Sequence, residues 1–240
     1  NGIVKVETQE VFTSAINDVE ADVRGKSDAQ LLDIAKNVKA EYENPENAKT
    51  LQELAVIYKI KDINVVDNSG IITESIESKY INFDMNTTDQ SKEFVDALKT
   101  APEFVQPYMP TGIDNTIWRK YAAVRLNDGG FIQVGYDAEQ FHEIIRDFVI
   151  DVTKNRHVGS GGFVAVCDDK LNLVIDNDYK GEHISTIGIS PPDEMLKGKT
   201  ATKLYTDNLV DGITDASEKF MYVFKFVEGY CIIAAMPEAE

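Results

Sequence analysis

The stretch Ile63-Asn64-Val65-Val66-Asp67-Asn68-Ser69-Gly70-Ile71-Ile72-Thr73 sets the reading of the whole chain. Two β-branched runs flank a cluster of turn formers, which is a hairpin pattern. Branched side chains suit a pleated strand, and Asp, Asn, Ser and Gly satisfy a turn through local hydrogen bonds and a left-handed backbone. About a hundred residues later the figure returns. Phe163-Val164-Ala165-Val166-Cys167 meets Asp168-Asp169-Lys170 and continues as Leu173-Val174-Ile175. Each hairpin has a second one downstream: Tyr121–Leu126 with Phe131–Tyr136 around Asn127-Asp128-Gly129-Gly130, and Phe220–Phe226 with Tyr230–Ala234 around Glu228-Gly229. Asp67 and Asp168 stand 101 positions apart, Gly130 and Gly229 stand 99 apart. Strand identity, turn chemistry and spacing therefore agree on two modules built as hairpin, intervening segment, hairpin.

Upstream, the first 58 residues read as helix. Phe12, Ile16, Val19 and Val23 form a one-face stripe; Gly25 interrupts it; Ser27 with Gln30 makes a capping box. The stripe resumes with Leu31, Ile34, Val38 and Tyr42 and stops at Asn44-Pro45. A third helix follows Thr50, with Glu53 at the capping-box offset. Between the hairpins of the first module lie a short helix over 88–99, holding Phe94 and Leu98, and a Pro-rich aromatic connection over 101–117. A strong amphipathic helix over 138–154 carries Phe141, Ile144, Ile145, Phe148 and Val152.

Composition narrows the function classes. With 24 Lys+Arg against 41 Asp+Glu the 240 residues carry a net charge of −17. A chain this acidic repels nucleic-acid backbones and anionic lipid headgroups, and no Lys/Arg run exceeds two. No apolar run approaches the ~18–20 residues of a membrane span, and the chain begins without Met or a signal segment. It reads as a soluble piece of a longer chain. Cys167 and Cys231 lie in apolar strand-like runs and are expected as two buried thiols, a disulfide requiring the fold to bring them together.

The hairpin Ile63–Ile72, the helical arm to about Tyr58, and the opening Val158-Gly159-Ser160-Gly161-Gly162-Phe163-Val164 resemble the double Cache sensor domains, the extracytoplasmic PAS-like ligand-binding regions of bacterial receptors. The resemblance covers essentially the whole chain. It implies an α+β fold: a helical arm (1–58), a membrane-distal PAS-like module (59–137), a connecting helix (138–156) and a membrane-proximal module (157–240), each module a central antiparallel sheet with flanking helices. It also implies transmembrane helices before and after these residues, a homodimeric receptor, an output domain such as a histidine kinase, and a small-molecule ligand in the distal module, an amino acid or other small carboxylate among the candidates. No cofactor and no nucleic acid is expected.

Pairing the second hairpin symmetrically about Asn127–Gly130 sets Leu126 opposite Phe131, Val124 opposite Gln133, Ala122 opposite Gly135 and Lys120 opposite Asp137 on one face. Arg125/Ile132, Ala123/Val134 and Tyr121/Tyr136 fall on the other, with Arg119 next along. Small residues amid both faces leave either one open to a ligand. Trp118-Arg119-Lys120-Tyr121 loosely resembles the family's Arg-x-Trp-Tyr signature, with Trp preceding Arg. Arg119 is either a carboxylate clamp, as its bidentate fork suits, or a surface arginine near the strand start. Gly135-Tyr136-Asp137 matches the family's Gly-x-Asp, where Asp meets a ligand amine; Asp137 with Gln140 is equally a capping box. Phe104, Tyr108 and Trp118 either wall a pocket or pack a core. The candidate binding set is thus Trp118, Arg119, Tyr121, Asp137, Tyr108, Tyr136 and Phe104.

Enzyme signals are weak. His142, His157 and His183 are dispersed, without partners at metal spacing. Gly159–Gly162 lacks the Gly-Lys-Ser/Thr ending of a P-loop and precedes a strand, so it reads as a turn. Asp168-Asp169 and Asp176-x-Asp178 lack the calcium-loop pattern and read as turns. The sequence is therefore read as a non-enzymatic sensor fragment; the rival classes are a secreted or lipid-tethered solute-binding or hydrolytic protein, and a ligand-free spacer or dimerisation module.

Overall fold

In the computed structural model, which describes residues 2–159, 161–174, 178–208 and 219–238 and side chains from residue 8 onward, the N-terminal helix passes through Gly25 without a break. Helix α1 spans Gly2–Tyr42. The interruption expected at Gly25 and the cap at Ser27 do not form, and Ser27 is buried within the helix. A mid-helix glycine costs about 1 kcal/mol. Burial of a Val, Leu, Ile or Phe is worth roughly 1.5–3 kcal/mol, and Phe12, Ile16, Val19 and Val23 before it and Leu31 and Val38 after it are all buried. Packing on both sides outweighs the local defect. Ala35, rather than Ile34, joins the buried stripe. Helix α2, Leu51–Tyr58, has its full capping box: Thr50 Oγ1 accepts from the Glu53 N–H at 3.2 Å, and Glu53 Oε2 accepts from the Thr50 N–H at 2.8 Å.

The chain forms two compact units, Lys26–Glu143 and Asn1–Gly25 with Ile144–Glu240. In the first, β1 (Asp62–Val66), β2 (Ile72–Ser75), β3 (Glu103–Val105), β5 (Trp118–Arg125) and β6 (Phe131–Tyr136) make an antiparallel sheet of order β2-β1-β6-β5-β3, with β4 (Met109–Pro110) also on β5. β3 and β4 arise where the sequence reads as a connection; they are short strands on the sheet's edge, where proline is tolerated. Helix α3, Asp89–Leu98, is capped by Thr88, whose side chain accepts from the Ser91 N–H.

The β5/β6 register differs from the symmetric pairing by one residue. Arg125 opposes Phe131, Val124 opposes Ile132, Ala123 opposes Gln133, Tyr121 opposes Gly135 and Lys120 opposes Tyr136. The turn explains the slip. Gly129 N–H donates to Leu126 O, Gly129 adopts φ +93°, and Leu126 N–H donates to Gly130 O. This is a three-residue turn closed by a left-handed glycine, which takes Gly130 out of the loop and into the pairing opposite Leu126. A one-residue slip moves a strand's side chains to the opposite face relative to its partner. Tyr121, Ala123, Gln133 and Phe131 therefore share a face with Asn64 and Asp62, whereas Tyr136 falls with Ala122, Val124, Ile132 and Val134 on the other. On that second face Lys120, almost wholly buried, pairs with Asp28 of α1.

The second unit repeats the plan. β7 (Phe163–Cys167), β8 (Tyr205–Asn208), β9 (Lys219–Val227) and β10 (Tyr230–Pro237) run in the order β7-β10-β9-β8, matching β1-β6-β5-β3. The repeat extends to atoms. Asp67 Oδ1 accepts from the Ser69 and Ile71 N–H groups at 2.8 and 3.0 Å, and Asp168 Oδ1 accepts from those of Lys170 and Asn172 at 2.9 Å each. The continuation past Leu173 is a bridge to Cys167; Ile175 lies outside the described residues. Helix α4 spans Ala138–Thr153, and α5 is the single turn Asp193–Leu196. One sheet face, with Ala165, Phe220, Phe224 and Ile233, packs with Leu173, Ile184, Ile187 and Met195 into one core. Cys167 and Cys231 face each other across β7 and β10 as buried free thiols. Burial pushes the Cys167 thiol up to about 12, and that of Cys231 is raised well above its usual range. Among the described residues no helix is long and apolar enough to cross a membrane.

Candidate functional site

Strand alternation brings polar residues to the face of the first sheet that looks toward α3. Ser75 Oγ accepts from the Glu77 N–H at 3.1 Å and donates to Asn64 Oδ1 at 2.7 Å. Asn64 Nδ2 then donates to Gln133 Oε1 at 3.0 Å. β2, β1 and β6 are adjacent, so three side chains far apart in sequence become one directional chain. Beside it the Tyr121 hydroxyl donates to Asp62 Oδ2 at 2.5 Å, and Arg119 Nε lies 3.8 Å from the same oxygen. Gly135 makes this possible: a Cβ there would come within 2.5 Å of the Tyr121 ring.

This corner is electrostatically tight. Burial pushes the Asp62 carboxyl up, with the Tyr121 hydrogen bond and the Arg119 charge opposing. Burial, followed by the Asp62 charge, pushes the Tyr121 phenol well above its usual range. Asp62 Oδ1 and Arg119 Nε are buried without a hydrogen-bond partner.

Above the floor of Asn64, Gln133 and Tyr121 lies a cavity of about 30 Å³. Its cover comes from the segment after β2 (Tyr80, Phe83, Met85), from Gln90 and Ser91 of α3, and from Thr111–Ile113. Gln90 holds the parts together: its Oε1 accepts from the Gly112 N–H at 2.8 Å and its Nε2 donates to Gln106 Oε1 at 2.7 Å. Ser91 Oγ donates to Met85 O at 2.7 Å. Gly112 is seated so closely that an added Cβ would lie 2.0 Å from Thr88 Oγ1.

The sequence candidates do not gather at one place. Tyr121 lines the cavity, and Phe104 packs edge-on to Phe94 behind it, ring centroids 5.0 Å apart. Arg119 lies alongside Asp62, with Nη1 donating to Trp118 O at 3.1 Å. Tyr108 joins Trp118 and Phe141 in a separate aromatic group, at 5.2 and 4.7 Å; Trp118 is 43% exposed. Tyr136 is buried on the opposite sheet face, where burial pushes its phenol up to about 12. Asp137 Oδ1 accepts from the Gln140 N–H at 2.8 Å, while the Gln140 side chain turns to Lys59 O, so half of the expected capping box forms. Sequence reasoning passes over Asn64, Gln133, Gln90 and Tyr80. The only signal for the first two is a polar residue inside an otherwise apolar strand.

The second unit has an opening of about 270 Å³ bordered by Arg146, Asp168, Lys180 and Tyr230. Asp168 holds its turn there, and Asp176 lies outside the described residues. At Gly162 a Cβ would meet Val158 O at 2.0 Å and Ala235 O at 2.5 Å, so the glycine-rich opening of this module allows close backbone approach; Ser160 lies outside the described residues. His183 caps the 3-10 turn Ile184–Ile187, its ring accepting from the Ser185 N–H. Among the described residues no group of three or more His, Cys, Asp or Glu could hold a metal ion.

No family model and no curated protein matches the sequence. Among solved structures, the chain is similar to the ligand-binding domain of the Campylobacter jejuni chemoreceptor Tlp3 in complex with L-valine, at 14% identity over 100% of this chain and 98% of that one, TM-score 0.44. It is similar to an extracellular ligand-binding receptor from Desulfohalobium retbaense at 14% identity and TM-score 0.39, covering 95% of this chain. The chain spans 40% of that receptor's length. A third similar structure is the ligand-binding domain of Mlp24 with asparagine, at 13% identity over 98% of this chain and 96% of that one, TM-score 0.39. Likeness at this level carries no information about what this chain binds.

Proposed function

We propose that this chain is the extracytoplasmic ligand-sensing domain of a bacterial membrane-bound signalling receptor of the double Cache type, with a sensor histidine kinase as the output. In this reading residues 59–137 form the distal, ligand-binding module and 157–240 the proximal one. The 1–58 arm leads from the membrane and the 138–156 helix connects the two modules, in a homodimeric receptor. The observation that carries it is the cavity of the first unit. A buried polar chain forms the floor, and a cover assembled from three separate segments is tied together through Gln90. A packed core hydrogen-bonds its buried polar groups but does not need a cavity above them. The domain binds rather than transforms: among the described residues the polar groups lining the cavity are amides and hydroxyls, and the buried Asp62 carboxylate beside them is engaged by Tyr121.

Thermal shift against amino acids, carboxylates and purines tests the reading. A ligand at 100 times its Kd adds about 2.7 kcal/mol, an obvious rise in Tm. Flat curves throughout would favour a spacer. Membrane attachment has its own test: the full gene should encode apolar segments of about 20 residues before and after this region, and a full chain with neither refutes it.

A further inference from the structure

The cavity of the first unit specifies its ligand by charge and by hydrogen-bond polarity. Among the described residues no charged side chain lines it. A carboxylate or ammonium placed there would lose its hydration with no counter-charge in the wall, a penalty that hydrogen bonds to neutral groups do not offset. The nearest carboxylate, Asp62, is turned to the Tyr121 hydroxyl, and the field of a chain of net charge −17 further disfavours an anion.

Polarity follows from the floor. Ser75 donates to Asn64, and Asn64 in turn donates to the Gln133 carbonyl. Running in this direction, the chain ends on the Gln133 NH2. Gln90, Ser91 and Thr111 use their polar atoms within the cover. Among the described residues the Gln133 amide nitrogen and the Tyr80 hydroxyl have no protein partner, and both residues line the cavity. Two donors in a wall without charges call for a neutral acceptor.

We propose that this cavity takes a small uncharged carbonyl compound, an amide or a lactam, whose oxygen accepts from Gln133 with Tyr80 as second donor. The inference rests on the ligand-sensing reading above and narrows it. At about 30 Å³ the space holds about one water molecule, so a ligand needs the cover to lift at Gly112, whose N–H is the cover's tie to Gln90.

Matched pairs that differ in charge and little in shape provide the test: nicotinamide against nicotinate and propionamide against propionate, with L-valine as a zwitterion, read by thermal shift and calorimetry. The expected result is binding of an amide and none of its carboxylate at equal millimolar concentration. That affinity should fall roughly tenfold in Gln133→Met or Tyr80→Phe, the second variant keeping the test intact if the first fails to fold. Nicotinate, propionate or L-valine binding as well as the amides, with the same sensitivity to these variants, leaves the sensing reading standing and overturns the inference. An amide that binds with unchanged affinity in both variants also overturns it. Silence from every probe overturns the inference and leaves the sensing reading to the wider panel of amino acids, carboxylates and purines.

Discussion

Gly25→Ala should stabilise the protein, and the size of the effect follows from the surroundings of one atom. Gly25 lies inside α1 and outside the left-handed region, and a Cβ built there meets nothing within 4 Å. The methyl group adds neither clash nor packing, leaving the helix propensity difference of about 1 kcal/mol. Part of this acts through the unfolded chain, whose backbone freedom the alanine reduces. For a protein of this size the gain corresponds to about 2–4 °C in Tm, and to roughly fivefold slower exchange of the amides of residues 22–30 where local opening limits it. Thermal melts followed by circular dichroism and hydrogen exchange read both effects. Gly25→Pro supplies the opposite arm: a proline ring in an uninterrupted helix costs about 3 kcal/mol. A lower Tm for Gly25→Ala, or a harmless proline, would mean the chain is not helical at 25 and would refute the account of α1.

Two further outcomes test the interior. The raised Asp62 carboxyl favours the protonated form in the folded state, so its contribution is most favourable below the unfolded carboxyl pKa of about 4 and is lost as pH rises through the folded value. Asp62→Asn, which keeps an acceptor for Tyr121, should match or exceed the wild type in chemical denaturation at pH 7 and lose that advantage in acid; a variant clearly weaker at pH 7 contradicts the assignment. Cys167 and Cys231, buried and shifted toward the thiol form, should both resist a thiol reagent in native buffer and both react in denaturant. Rapid native labelling of either would show that the β7–β10 pair is open.

The hairpins and their hundred-residue repeat were legible because Ile63–Thr73 and Phe163–Leu173 carry their turn chemistry locally. The helix through Gly25 was not, because the burial that holds it comes from residues far along the chain. The face of the cavity was hidden by one glycine: Asn127-Asp128-Gly129-Gly130 fits a symmetric loop as well as the observed one, and the left-handed Gly129 decides the register and thus which side chains accompany Tyr121. The floor itself was least visible. Asn64 and Gln133 are isolated polar residues in apolar strands, 69 positions apart, and their meaning arises from β1 and β6 lying side by side.

The twin aspartate turns fill their left-handed position differently. Gly70 in the first module and Leu171 in the second both adopt the left-handed backbone, at φ +87° and +63°. For leucine that conformation costs about 1–2 kcal/mol, offset by a side chain sunk in its own module's core with Leu173, Ile184 and Ile187. In the first module the space a side chain would claim is taken by Asn86 and Val95, a Cβ coming within 2.7 Å of Asn86 Nδ2. One module thus carries its own stopper, while the other leaves a socket that a different stretch of chain must occupy. Residues around Asn86 can then change in sequence without rebuilding the sheet, so new chemistry is easier to acquire in the first module than in the second.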